Sequence, residues 1–467
     1  MTTVEAAPPR PALAPRPLDR VAAVLGLAYL WAVLGGSFAM QWWRIVPTPG
    51  RLQALSLFAV VVIVVALLTK RLPRQVPLLA ALMAVWLAAG ALSSWRLTGV
   101  VDSRSLLLAL ASVGVLFGAA ATRPAWVGWS IIVIGSLYLL LNLVVYWKGY
   151  YSLGTSFPGT TSWNSVANGY RADSLASKDD WYGYRLFLEL PYPDSVTDRA
   201  IALLRDVPRL RLVETVFEFR GLSGTPNQTG NFVAPFLAFV IPFLSHRARG
   251  RTGRRIAVAR VALIAAIVGV GLSLLYFVDA RTAAFAVAIS AVVLVVPLGW
   301  SRNPRVAGIA AVLLPLAMMI PFVLTQTVGL DLTERRCLWQ SWLGEIRASP
   351  VWGIGPPGHI ESICRDFTWF HSHNEFLQAW SMGGLMGLFA AVVLFGWLSW
   401  IAVRYSDRDD RALLTVLVCC IALMSMEVLS SGSGYWVYMG IAYLIAVVAR
   451  SLNLMTPRQA PSDAPGP

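Results

Sequence analysis

Charge is scarce in this chain, and negative charge scarcest. Of 467 residues only 13% are Asp, Glu, Lys or Arg, with 24 acidic side chains against 38 basic ones. A protein wetted on all sides carries about a quarter charged residues, so a soluble globular domain is excluded. Histidine and cysteine are rarer still, four of each. The cysteines, Cys337, Cys364, Cys419 and Cys420, show no zinc spacing, and the last two fall inside an apolar run. Also missing are a glycine-rich phosphate loop with its lysine, HExxH and GxSxG, which argues against the hydrolase and nucleotidase classes built on them. No metal and no cofactor is expected.

What is abundant is apolar sequence. Hydrophobic residues make up 57% of the chain, and 19 tryptophans suit anchoring at a membrane interface. Runs long enough to span a bilayer recur about twelve times, from 21–43 to 435–449. The expected fold is therefore an all-α polytopic membrane protein with two large outer loops. Its segments are a cytoplasmic tail over 1–20, five helices over 21–147, a first outer loop over 148–228 and four helices over 229–325. A second outer loop over 326–374, three helices over 375–449 and a cytoplasmic tail over 450–467 complete it. The loop charges support this count. One alternating set is rich in arginine, among them Arg247, Arg249, Arg251, Arg254 and Arg255, and the short loops of the other set carry only Arg44, Arg51, Arg96, Arg104 and Arg281. By the positive-inside rule the rich set is cytoplasmic, with both termini inside. The net charge of +14 then reflects cytoplasmic loops facing membrane lipids, with no nucleic acid implied. The polar, proline-rich start precedes a run too long for a signal peptide, so no cleaved leader is expected. Within the first outer loop, Ser195 to Leu212 reads as an amphipathic helix.

Four features gather on the outer side. His373, with His371 beside it, stands just ahead of a long apolar run, and Asn374 is a good N-cap for that helix. If the helix runs from His373 through Gly384, the glycine lies about three turns below the imidazole and admits another helix there. Arg220 precedes a Gly-Thr-Asn turn ending at Asn227, a backbone cradle suited to an anion. Arg281 sits in the short turn after Asp279, where it either binds an anion or pairs with that aspartate. Arg335 and Arg336 open the second outer loop; one of them faces a site and the other is solvated. Glu427, a lone acid near the outer end of its span, is a supporting candidate. Cys337 and Cys364 share one outer loop and are a disulfide candidate; the alternative is two free thiols. Guanidinium groups match phosphate oxygens and stay charged, while an imidazole can take a proton from a hydroxyl. Together these groups suggest a transferase using a lipid-linked phosphate or pyrophosphate donor and a hydroxyl acceptor.

The residues from about Arg220 to Leu388 resemble the O-antigen ligase and O-antigen polymerase superfamily. Ligases of that family carry His-[Asn/Ser/Gln], nine residues, then Gly-[Leu/Met/Trp]. His373-Asn374, Glu375 to Gly383 and Gly384-Leu385 fit position for position. Arg336 to Trp339, followed by Pro350-Val351-Trp352-Gly353-Ile354-Gly355, looks like the start of the family's large periplasmic loop. Arg220 and Arg281 resemble its other two essential arginines. The resemblance implies an inverting, metal-independent glycosyltransferase in the bacterial inner membrane with its site facing the periplasm. The donor is a glycan on undecaprenyl pyrophosphate and the acceptor a sugar hydroxyl of lipid A-core. His373 is then the catalytic base, and Arg220, Arg281 and Arg336 hold the pyrophosphate, with His371, Asn374, Arg335, Glu427 and Asn227 in support. A repeat-unit polymerase or a protein O-oligosaccharyltransferase shares this chemistry. A transporter of a lipid-linked sugar is the alternative of another class, and it calls for charged or broken helices near the bilayer midplane.

Overall fold

The structure, a computed structural model, describes residues 16–35, 48–69, 72–151, 183–189, 209–215, 226–248, 254–278, 280–295, 303–328, 335–355, 360–361, 368–369, 372–406, 411–429 and 438–455. Five helices come first: α1 (Pro17–Leu34), α2 (Thr48–Leu67), α3 (Gln75–Thr98), α4 (Ser103–Ala121) and α5 (Pro124–Tyr151). An antiparallel hairpin of β1 (Gly183–Glu189) and β2 (Arg209–Thr215) follows. Then come α6 (Pro226–Ala248), α7 (Arg254–Phe277), α8 (Arg281–Val295), α9 (Pro304–Ala317), α10 (Ile320–Thr327) and α11 (Arg335–Ala348). A second, two-residue ladder pairs β3 (Ile360–Glu361) with β4 (Thr368–Trp369), and α12 (Glu375–Tyr405), α13 (Ala412–Met424) and α14 (Tyr438–Met455) close the chain.

Among the described residues, α1, α3, α4, α5, α7 and α12 are long and apolar enough to cross a membrane. The pair α9 and α10, bent by 49° at Met318–Met319, adds one more if it is a single span. Helices α2, α6, α8, α13 and α14 are apolar but shorter over their described parts. The chain is thus an α-helical, multi-pass membrane protein. Its centre is α6, whose residues from Thr229 to Val240 are all buried, as expected of a helix that is apolar all round. Phe232, Phe236, Phe239 and Phe243 recur at helical spacing along it and pack on Tyr138, Tyr443 and Trp129. By contrast α7 is only 22% buried over its apolar window and lies at the periphery.

Two local expectations are corrected. The stretch Ser195–Leu212 does not end as a helix: Arg209 to Leu212 belong to β2, and 195–208 lies outside the described residues. Arg209 and Arg211 alternate with Leu210 and Leu212, a period of two that suits pairing opposite Leu186 and Leu188. The helix α12 does not run from His373 through Gly384 either. It begins at Glu375, and Gly384, at φ 60 and ψ −154, interrupts it. That region of backbone space is open essentially to glycine alone. Into the break docks the loop Val351–Gly355: Leu385 N donates to Val351 O at 3.0 Å, Ile354 N to Ser381 O at 2.6 Å and Gly355 N to Met382 O at 3.2 Å. A neighbouring helix does approach, one residue earlier, where Gly383 lies against Ala89 of α3. The same loop is tied to the end of α3 by the Ser93 hydroxyl, which donates to Trp352 O, and by Arg96, stacked 4.1 Å from the Trp352 ring.

Candidate functional site

The start of α12 is fastened from four directions. Asn374 caps the helix, its Oδ1 accepting from Phe376 N and Leu377 N, both at 3.1 Å. Its Nδ2 donates to Met318 O at 2.9 Å and Ser425 O at 3.1 Å. These two carbonyls are exposed by the α9–α10 bend and by the end of α13, so one side chain ties three helices together. Ser372 N donates to Gln378 Oε1 at 2.7 Å, and Ser372 O accepts from Trp339 Nε1 of α11 at 2.7 Å. Trp339 in turn sits with Leu338, Trp342, Ile346 and Leu377 in a separate apolar cluster, which presses the amphipathic α11 onto α12. Glu375 is fully buried and its Oε2 accepts from Leu429 N at 2.8 Å.

Between these anchors lies His373. Its φ is 52, and among the described residues it alone combines a side chain with positive φ. A left-handed conformation off glycine costs about 1–3 kcal/mol and persists only where the surroundings impose it. The turn aims the imidazole at Glu427, with Nδ1 at 2.9 Å from Oε2. Glu427 Oε1 accepts from Arg335 Nη2 at 2.8 Å and from Asn227 Nδ2 at 2.8 Å. The carboxylate is 3% exposed, the arginine 12% and the histidine 13%. Residues 227, 335, 373 and 427, from four separate parts of the chain, therefore meet around one carboxylate.

The other candidates are placed as follows. Arg281 is the first residue of α8 and is exposed. Its helix start adjoins the site, because Gly230, one turn below Asn227, is packed against Ala280 and Ala283. Arg336 is exposed on α11, about 100° around the helix from its neighbour Arg335. Cys337 is disulfide-bonded, while Cys419 and Cys420 are buried free thiols. Arg220, His371 and Cys364 lie outside the described residues. The sequence reading took Trp339 only as part of the loop motif and passed over Ser372, Gln378 and Ser425. The signal of Ser372 and Gln378 is polar capacity about a turn from the cap, which becomes meaningful only when the partners are known.

The architecture and this cluster define a class: a polytopic helical membrane protein with an imidazole, a carboxylate, an amide and one guanidinium gathered where several helices end. Residues 254–392 match the family described as O-antigen ligase, a match consistent with the O-antigen ligase and polymerase superfamily. The match points to a glycosyltransferase-like enzyme of ligase or polymerase type. Among curated proteins none matches the chain.

Proposed function

We propose that this protein transfers a glycan from undecaprenyl pyrophosphate to a sugar hydroxyl, as an O-antigen ligase acting on lipid A-core. The observation that carries this reading is the held imidazole. His373 is fixed along one edge by a buried carboxylate and keeps part of its surface open. It is the general base that takes the proton of the acceptor hydroxyl as that oxygen attacks the anomeric carbon. The bond from sugar to pyrophosphate breaks with inversion, and the lipid pyrophosphate leaves as an anion. Arg220, Arg281 and Arg336 hold that anion, supplying fixed positive charge where negative charge grows. No metal takes part in this scheme. The twelve apolar helical runs all cross the bacterial inner membrane, the site faces the periplasm, and the segments 148–228 and 326–374 form its outer loops. A family of this description implies lipid-linked glycan substrates.

The test uses purified protein in lipid with a defined lipid-pyrophosphate glycan and lipid A-core. His373→Ala abolishes transfer with folding retained. Arg220→Ala and Arg281→Ala raise the donor KM more than the acceptor KM. Transfer by His373→Ala above a few per cent of wild type removes the base assignment, and arginine effects confined to the acceptor remove the pyrophosphate assignment. A product lengthened by repeat units in place of glycan on lipid A-core would favour the polymerase.

A further inference from the structure

We propose that Glu427 is the positioning residue of the transfer site: ionised against Arg335, it holds the Nδ1–H of His373, so that Nε2 is the atom that accepts the proton. The inference rests on the reading of His373 as base and adds to it which nitrogen acts, what fixes that choice, and which arginine pairs with the carboxylate.

A guanidinium only donates and is permanently charged; a carboxylate only accepts. With Arg335 Nη2 at 2.8 Å and exposure of 3%, Glu427 is matched by a permanent cation at a place where an uncompensated charge is costly. Asn227 fills a second site on the same oxygen, Oε1. The other oxygen, Oε2, faces Nδ1 at 2.9 Å, and against a carboxylate that nitrogen must carry the proton. The second ring nitrogen is then left with its lone pair. This is the logic by which a buried carboxylate selects the tautomer of a catalytic histidine on other folds. Each element around the carboxylate contributes one group: α6 gives Asn227, α11 gives Arg335, the turn before α12 gives His373, and Glu427 follows α13.

The pairing also divides the two adjacent arginines. Consecutive residues on a helix point about 100° apart, so only one of Arg335 and Arg336 can face Glu427. It is Arg335 that bonds Glu427, through Nη2; Arg336 is exposed and stays assigned to the donor's diphosphate.

Nitrogen-15 NMR of histidine-labelled protein in bilayers reads the tautomer directly. Four histidines are present, and the His373 signal is identified by its loss in His373→Gln. Wild type is expected to show Nδ1 protonated and Nε2 bare, and Glu427→Gln to lose that preference. In parallel, Glu427→Gln lowers kcat about 10²–10⁴-fold with the donor KM within about threefold of wild type. Arg335→Met, a variant that leaves the carboxylate in place, moves the same two readouts in the same direction. A wild-type His373 protonated at Nε2 overturns the proposal, as does Glu427→Gln turning over at the wild-type rate. So does Arg335→Met that raises the donor KM while kcat at saturation is unchanged, because that is the behaviour of a donor ligand. Survival of transfer in His373→Ala would sink the base assignment and leave the tautomer measurement standing, so the two readings fail separately.

Discussion

At the residue scale, His373 combines a proton acceptor with a backbone that ordinary side chains avoid. The strain separates two substitutions that both remove the imidazole. His373→Gly relieves the left-handed penalty and His373→Ala does not, so the glycine variant is expected to be more stable by about 1 kcal/mol while both lose transfer. Thermal unfolding in detergent compares them. Equal stability would show that the turn is not strained. Asn374 is the second test. Its side chain, at 0% exposure, makes the cap and two bonds to carbonyls of other helices. Asn374→Ala is expected to cost about 2–4 kcal/mol, the sum of a lost cap and two deprived buried acceptors. Asn374→Ser, which keeps the cap alone, recovers about 1 kcal/mol of that in the same unfolding assay.

At the element scale, the interruption of α12 governs how the outer loop is seated. Gly384→Ala places a Cβ against Val351 O and Trp352 C, in backbone space closed to alanine. The dihedral penalty alone is about 1–3 kcal/mol. The variant is expected to lower the unfolding temperature and to raise protease cleavage within 350–355, while Gly99→Ala, whose Cβ meets nothing within 4 Å, leaves that cleavage unchanged. The break also shows where reading a sequence stops. Hydrophobic length made the helices legible, because a bilayer imposes about 20 apolar residues whatever the fold. His373, Asn374 and Gly384 stand out in the sequence through their spacing, but a spacing of eleven residues fits a continuous helix and an interrupted one alike. The structure seats a loop where a continuous helix had implied another helix, since carbonyl and amide groups at the interruption seek partners from the nearest backbone. Strand β2 was illegible for a related reason: the basic and apolar residues from Arg209 to Leu212 fit the end of a helical pattern as well as an alternation. Glu427 was visible as a lone acid, yet its three partners lie 54, 92 and 200 residues away and only folding reveals them.

At the scale of the whole molecule, the ends of the helices sort by chemistry. The starts of α6 and α12 and the end of α13 meet at Glu427, and α8 begins beside them. At the opposite end Arg411, just before α13, donates to Val293 O and Leu294 O at the close of α8, and Arg450 of α14 lies buried over Phe239 and Phe243. Arg411 and Arg450, two of the arginines that the loop charges assign to the cytoplasm, thus lie at helix ends away from the junction at Glu427. Cysteine labelling checks the orientation. With the native cysteines replaced, a cysteine at exposed position 347 is expected to react with an impermeant maleimide in intact spheroplasts, and one at 404 only after lysis. The reverse pattern would put His373 at the cytoplasm and remove the periplasmic transfer reaction.

Glu427 gathers residues that the family match does not contain together. Residues 254–392 include His373 and Arg335, while Asn227 and Glu427 fall outside on either side. A chimera that transplants only the matched stretch into a relative would move the imidazole without the carboxylate and amide that orient it. Whatever exchange of specificity is attempted between such proteins, the unit of exchange is set by this four-residue junction and is wider than the recognisable domain.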